Sequence, residues 1–385
     1  MNREVYLDNS ATTKPFKEII DEVGQTIEEC YGNPSSLHNK GVDSEKILKY
    51  TRQIVAHSIG VNSGEIFFTS GGTESNNIAI QGFAEANKKR IGKIVTSCVE
   101  HPSVLKVFKN LEIKGFDVTY LPVDKDGIVD LHLLNMHLEK NHISLLSIMH
   151  VNNEVGSIQP IDEILKLKKQ YGFSLHVDAV QSFCKIDLSN LCRDVDMLSF
   201  SGHKIHALKG VGGLYIRKGI RINPVYHGGG QEEGIKPGTE NIPGIWSLCK
   251  AIEISSSKKY GVFEDIRKLK DTFVNRILNE IPIAKLNSSL DEKKSAPHIV
   301  NIAFEGIPGE VMLHSLEQKG IYVSTGSACS SKKKEPSYIL TSMGVNKDLI
   351  KSSIRISLSL FTSNEDIDYC ISAINESVRE LKMFK

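Results

Sequence analysis

From residue 60 to 220 the chain repeats one pattern: a short unbroken apolar run, then a longer segment with apolar residues every three or four positions. EIFF (65–68), KIVTS (93–97), DVTYLPV (117–123), ISLLSIMHV (143–151), FSLHVDA (173–179), DMLSF (196–200) and GGLYIR (212–217) read as strands. A strand wetted on one face alternates apolar with polar residues. These runs are continuous, so both faces are covered, as in a mainly parallel sheet. Between them, IDEILKLKKQYG (161–172) has helical spacing and closes on a glycine. The alternation predicts an α/β fold, a large domain with a mainly parallel seven-stranded sheet covered by helices.

After SSSKKY (255–260) the order changes. HIVNIAF (298–304), IYVS (321–324) and SIRISLS (353–359) read as strands, and GEVMLHSLEQKG (309–320) as a helix. The last helix opens on a capping pattern, Ser363 with Asp366, and puts Ile367, Cys370, Ile371, Ile374, Val378 and Leu381 on one face. These elements predict a smaller α+β domain. The expected division is 15–255 for the large domain, with 1–14 and 256–385 forming the small one. The longest gap between small-domain elements, about 325–352, reads as a mobile loop and holds a cysteine among small polar residues, VSTGSACSSKKK (323–334).

Composition narrows the class. With 40% hydrophobic and 24% charged residues in 385, the chain is ordinary globular protein. A net charge of +1 gives no general attraction to nucleic acid or anionic membrane. MNREVYLDNS lacks the apolar stretch of a signal peptide, and no apolar run nears the roughly 18 residues of a membrane helix. Seven scattered cysteines with no C-x-x-C pair argue against a disulfide framework and a structural zinc site. The expectation is a cytoplasmic protein with no direct nucleic-acid or membrane partner.

The chemistry gathers at predicted strand ends, where open α/β sheets bind ligands. SFSGHK (199–204) brings Ser201, Gly202, His203 and Lys204 out of an apolar strand. Lys204 alone reads first as a solvated surface lysine, and a second strand end changes that. Asp178, in SLHVDAVQS (174–182) three residues before Gln181, sits in a run apolar enough to be buried, where a carboxylate needs a cation or donors. Lysine and aspartate at two strand ends are what pyridoxal phosphate uses, one for its Schiff base and one for its pyridine nitrogen. EIFFTSGGTESNNIAI (65–80) supplies a strand, Gly72, Thr73 and a helix start, a candidate phosphate cradle. The dinucleotide and nucleotide-triphosphate glycine patterns are absent. His101 follows a strand in TSCVEHPSV (96–104); with Cys98 it makes half a metal site and no second pair exists. Asn153 and Glu154 follow the longest apolar run. HGGGQEEGIKPGTEN (227–241) reads as a loop whose Thr239 is one more candidate phosphate donor. Arg355, inside SIRISLS, needs an anion, and a substrate carboxylate matches its two-pronged donors.

YLDNSATT (6–13), GNPSSLH (32–38), GGTES, EHPS, NNEVG, HVDAVQ, SGHK, GTEN and GSACSS occur in an order that resembles the cysteine desulfurases of the NifS/IscS kind, class V, fold-type I pyridoxal phosphate enzymes. The segment around Cys329 is similar to the group with the longer catalytic loop. The resemblance implies Lys204 as the Schiff-base lysine, Asp178 as the partner of the ring nitrogen, His101 stacked on the ring and assisting proton transfer, and Gln181 on the ring hydroxyl. It implies phosphate contacts from Gly72, Thr73, Ser201 with Gly202, and His203, and from Thr239 of a second subunit. Asn153 and Arg355 would orient the substrate, and Cys329 would carry the persulfide. The chain departs from the family pattern at Ala207 and Leu208, where Gly-Pro is usual, and at Lys236, where Arg is common.

The activity so implied converts L-cysteine to L-alanine and hands sulfur from Cys329 to an acceptor protein, an iron–sulfur scaffold or a tRNA-thiolation enzyme. The protein is expected as a homodimer with no resident metal; a transient iron–sulfur contact would fall to Cys329. A selenocysteine lyase, another class V aminotransferase and a non-catalytic sulfur-relay scaffold are the alternatives. Lys332, Lys333 and Lys334 read as a solvated loop face or a contact for an acidic partner. The remaining cysteines, Cys30, Cys98, Cys184, Cys192, Cys249 and Cys370, read as structural.

Overall fold

Each of the seven apolar runs between residues 60 and 220 forms a strand of one sheet. The computed structural model describes residues 3–257, 262–326 and 336–383. Its strands are β1 (Val5–Tyr6), β2 (Ile66–Thr69), β3 (Lys93–Ser97), β4 (Val118–Leu121), β5 (Ile143–Met149), β6 (Ser174–Asp178), β7 (Met197–Ser201), β8 (Gly212–Ile216), β9 (Ala284–Leu286), β10 (Ile299–Phe304), β11 (Ile321–Tyr322) and β12 (Ser353–Ser357). The helices are α1 (Lys17–Glu29), α2 (Asn39–Ile59), α3 (Gly72–Asn87), α4 (Pro102–Ile113), α5 (Leu131–Lys140), α6 (Ile161–Tyr171), α7 (Ser189–Cys192), α8 (Ile242–Ser257), α9 (Val262–Glu280), α10 (Gly309–Gln318), α11 (Tyr338–Ser342), α12 (Lys347–Lys351) and α13 (Asn364–Met383).

The large sheet runs β2-β8-β7-β6-β5-β3-β4. Strands β3 to β7 are mutually parallel, and β8 is antiparallel to both β2 and β7. Register aligns the strand ends: Met149 pairs with Asp178, and Asp178 with Ser199. β7 and β8 are buried along their whole length, which is why their sequences carry no alternation. Helices cover both faces. One apolar core includes Phe16, Val55, Leu146, Phe200 and Leu248, and a second, under α3 and α4, includes Phe83 and Phe108.

A further core joins β10, β12, α9, α10 and α13 with Val5 and Leu7. There β10 lies between β12 and β9, antiparallel to both, and the short β1 pairs in parallel with β11. The amino-terminal residues thus thread from this core toward the large sheet, since Asp8 bridges to Ser357 while Thr13 donates its N–H to the His203 carbonyl. The predicted final helix is α13, with Ser363 and Asp366 exchanging the expected cap hydrogen bonds.

The gap read as a loop, 325–352, is partly helical. Within it α11 and α12 bury Ile339, Leu340, Met343 and Ile350 against Val99 and Val155. Short helices of five residues carry no long periodic pattern, so apolar packing rather than propensity makes them. No helix among the described residues is long and apolar enough to cross a membrane.

Candidate active site

At the carboxyl ends of β3, β5, β6 and β7 the turns, the start of α3 and residues 10–12 enclose a cavity of about 460 Å³. Asp178 ends β6 and Lys204 follows β7; both line it. So do His101, Asn153, Gln181 and Arg355, together with Gly72, Thr73, Ser201 and His203. Gly202 is buried behind this lining, where an added Cβ would come within 2.9 Å of the Val211 side chain. Thr239 is exposed in the 227–241 segment and does not reach the cavity of its own chain. Cys329 and Lys332–Lys334 lie outside the described residues.

The start of α3 makes an anion cradle. The first N–H groups of a helix have no acceptor within it and carry the positive end of its dipole. Gly71, the residue before it, takes φ +147°, a conformation L side chains rarely adopt. A Cβ on Gly72 would lie 2.5 Å from Val180 Cγ2, so backbone and strand turn approach as closely as glycine allows. Ser201 closes the cradle from β7, its hydroxyl 3.4 Å from where a Gly71 Cβ would sit.

Lys204 Nζ donates to the carbonyls of Ser10 and Ala11, the latter at 2.8 Å. Asp178 is 5% exposed, accepts from Val180 N–H at 3.0 Å and from Asn76 Nδ2 at 2.7 Å. Burial pushes its carboxyl up, while those two donors and the Lys204 charge pull it back down. His101 caps α4 through Nδ1; burial, then the Lys204 and Lys106 charges, lower its pKa to about 4, so it is a neutral imidazole at pH 7. His203 is lowered to about 4 by burial and then by the Lys204, Lys209 and Lys185 charges, and its Nδ1 lies 3.2 Å from Thr12 Oγ1.

Arg355 is 1% exposed. Its Nη1 donates to the Asn153 carbonyl at 2.8 Å, and its Nη2 pairs with Asp8 at 2.7 Å. The anion that sequence demanded is thus supplied within the chain, while Nε has no partner among the described residues. Five more buried polar atoms in this cavity lining have no partner among the described residues: Ser10 Oγ, Asn76 Oδ1, Asn153 Oδ1, Gln181 Oε1 and Ser201 Oγ. Buried polar atoms in folded proteins are nearly always hydrogen-bonded, so this concentration marks a place built for a polar guest. With an amine, a carboxylate and an anion cradle among them, the donor set fits a phosphorylated pyridine aldehyde.

Several residues here carry no sequence signal of their own. Asn76 and Ser103 lie on helices where polar residues read as solvent-facing, and Ser10–Thr12 reach the site from about 190 residues away. Lys209 also lines the cavity. Glu100, wholly buried, accepts from Ser97 Oγ at 2.5 Å and from Met149 N–H at 2.8 Å; burial, with Asp178 nearby, raises its carboxyl well above the usual range. Glu154, also buried, accepts from Ser337 Oγ at 2.6 Å, and a Cβ added to Gly326 would come 3.6 Å from its Oε2. At the departures from the family pattern, Ala207 is buried and Leu208 N–H donates to Ser247 Oγ, a bond proline could not make. Cys192, Cys249 and Cys370 are buried, with thiols pushed up to about 12, chiefly by burial.

Residues 5–370 match the family model described as aminotransferase class-V. The cysteine desulfurase IscS of Dictyoglomus turgidum is 43% identical over 99% of this chain and 96% of its own. A solved NifS-like protein superposes with a TM-score of 0.90 at 38% identity, covering 98% of this chain and all of its own. The structure of SspA in complex with cysteine gives a TM-score of 0.81 at 32% identity, over 93% of this chain and 100% of its own.

Proposed function

The chain belongs to the aminotransferase class-V family, and from that premise we propose that it is a cysteine desulfurase working on free L-cysteine with pyridoxal phosphate. The observation that carries the reading is one cavity shared by the Lys204 amine, the buried Asp178 carboxylate and the α3 anion cradle. When bound, pyridoxal phosphate supplies an aldehyde for an amino group and a ring that accepts an electron pair.

The residues divide the remaining work. Gly72, Thr73, Ser201 and His203 would hold the phosphate, with Gly202 packed behind them, and Gln181 would bond the ring hydroxyl. Asp178 keeps a proton on the ring nitrogen; its two donors preserve the negative charge that this requires. Lys204 would hold the aldehyde end and, with its amine free, would move the proton of the substrate Cα. Neutral His101 would face the ring and carry protons at the reacting end. Arg355 and Asn153 orient the substrate carboxylate. The Cys329 thiolate attacks the substrate sulfur. An S–S bond forms as the Cβ–S bond breaks, its electron pair stays on carbon, and a proton completes the methyl group. The sum is L-cysteine plus a Cys329 thiol giving L-alanine plus a Cys329 persulfide, with no external oxidant or reductant.

The persulfide then passes to an acceptor protein of iron–sulfur assembly or tRNA thiolation, in the cytoplasm. Thr239, exposed on its own chain, fits a hydroxyl offered to the second subunit of a homodimer. The test is stoichiometric: the yellow holoprotein given L-cysteine should yield alanine and one persulfide on Cys329 per turnover in the absence of reductant. Cys329→Ser should abolish both products and keep the colour. Full alanine production by Cys329→Ser, or a colourless protein that takes up no cofactor, would overturn the reading.

A further inference from the structure

Asn76 touches two groups that the proposed chemistry needs. A carboxylate only accepts, so the Asn76 atom 2.7 Å from Asp178 Oδ2 is Nδ2. The same nitrogen lies 2.9 Å from Ser103 Oγ, so its two hydrogens have two acceptors. Ser103 Oγ therefore accepts from Asn76 and has its own hydrogen left for His101 Nδ1, 2.8 Å away. The backbone N–H of Ser103 also donates to Nδ1, at 3.1 Å. An imidazole nitrogen that accepts carries no hydrogen, which leaves the His101 proton on Nε2. Asn76 is 1% exposed, so water does not substitute for these bonds.

We propose that Asn76 is a positioning residue that sets two cofactor-facing groups at once: it holds Asp178 as a hydrogen-bonded carboxylate and, through Ser103, holds His101 with its proton on Nε2. The inference rests on the cofactor reading above but concerns the chain's own hydrogen bonds. Sequence places Asn76 one turn into α3, and the cradle fixes where α3 starts. Phosphate binding and ring-nitrogen binding are thereby tied to one helix.

Among the described residues, the charges coupled to Asp178 are those of Lys204 after β7 and Glu100 in the turn before α4; His101 at the start of α4 lines the same cavity, and His176 lies two residues earlier on β6, its ring held by Ser147 and Ser199. A donor to the charged form lowers a carboxyl pKa, so removing Asn76 raises that of Asp178, and its protonation on acidification comes at higher pH.

The experiment measures pyridoxal phosphate binding to the apoprotein by visible absorbance from pH 5 to 9, and the His101 tautomer by nitrogen NMR of histidine-labelled apoprotein. For Asn76→Ala, affinity at pH 7 falls roughly tenfold and the acid midpoint of binding rises by about one pH unit, the size of one charge-assisted hydrogen bond. The Nδ1-protonated share of His101 becomes detectable and stays a minority, because the Ser103 N–H still donates to Nδ1. Ser103→Ala changes the tautomer and leaves the acid midpoint alone, which separates the two branches. An unmoved midpoint in Asn76→Ala, or a His101 still wholly protonated on Nε2 in both variants, overturns the proposal. If Asn76→Ala does not fold, Asn76→Ser replaces it with the same expectations. A wild-type protein that binds no cofactor defeats the functional reading instead, and the tautomer comparison still decides this one.

Discussion

The pair Asp8–Arg355 makes a prediction in which two effects have opposite signs. Arg355 is almost wholly buried, Asp8 is 19% exposed at the side chain, and they meet at 2.7 Å. Asp8→Asn keeps the shape and an acceptor oxygen but removes the charge, leaving a buried guanidinium with only neutral partners. Breaking a buried pair costs about 3–5 kcal/mol, and the retained acceptor puts this variant at about 3 kcal/mol. Substrate binding moves the other way. A substrate carboxylate on the free edge of the guanidinium would sit about 7 Å from Asp8, and two like charges there repel by about 2 kcal/mol at an effective dielectric of about 20. Removing Asp8 should therefore lower KM for L-cysteine by roughly 30-fold while the urea midpoint falls. Arg355 keeps its aim because Nη1 stays on the Asn153 carbonyl. Denaturant melts and initial-rate measurements on the same preparation read both quantities. A KM that rises with lost stability would show that Asp8 aims Arg355 rather than competing with substrate, and would refute this reasoning.

Gly72→Ala forces a Cβ to 2.5 Å from Val180 Cγ2 at the cradle; a shift of this kind costs about 1–3 kcal/mol, so cofactor affinity should fall roughly 10- to 100-fold in an equilibrium titration, and an unchanged affinity would remove Gly72 from the cradle. Acidification should destabilise the fold. His150 and His206 are lowered to about 4, His176 to about 3, and His298 well below its usual value, all by burial first. Each is neutral when folded and protonated when unfolded between these values and 6.5, so their stability is present above pH 6.5 and lost as pH falls toward 4. At pH 5 they should take up between about three and four protons on unfolding, offset by at most about two from Glu100 and Asp178, which are shifted up. Melts between pH 7 and 5 should show this loss, and a flat profile would contradict the burial of these rings.

The seven-strand sheet was legible because its strands are continuous apolar runs, and Asp178 and Lys204 stood out as a pair at two strand ends, since each alone has a bland reading. Strand order was not legible, nor was the antiparallel direction of β8, since periodicity says nothing about neighbours. The same blindness hid the Asp8–Arg355 pair, 347 residues apart, and the buried Arg52–Glu232 pair that ties the 227–241 segment to β2. Lys204 bonding to the Ser10 and Ala11 carbonyls escapes any reading of side chains, because backbone atoms are the acceptors. Asn76 and Ser103 look like ordinary polar positions on helices and acquire meaning only once α3, β6 and α4 converge. The short helices α11 and α12 were hidden inside a gap because their apolar residues pack on turns distant in sequence.

Reduction of the holoprotein with borohydride, followed by peptide mass mapping, tests the central claim most directly. The account predicts the pyridoxyl mass on the peptide containing Lys204 and nowhere else, with the label lost in Lys204→Ala. Label on Lys209, which among the described residues also lines the cavity, or on a surface lysine, would contradict it.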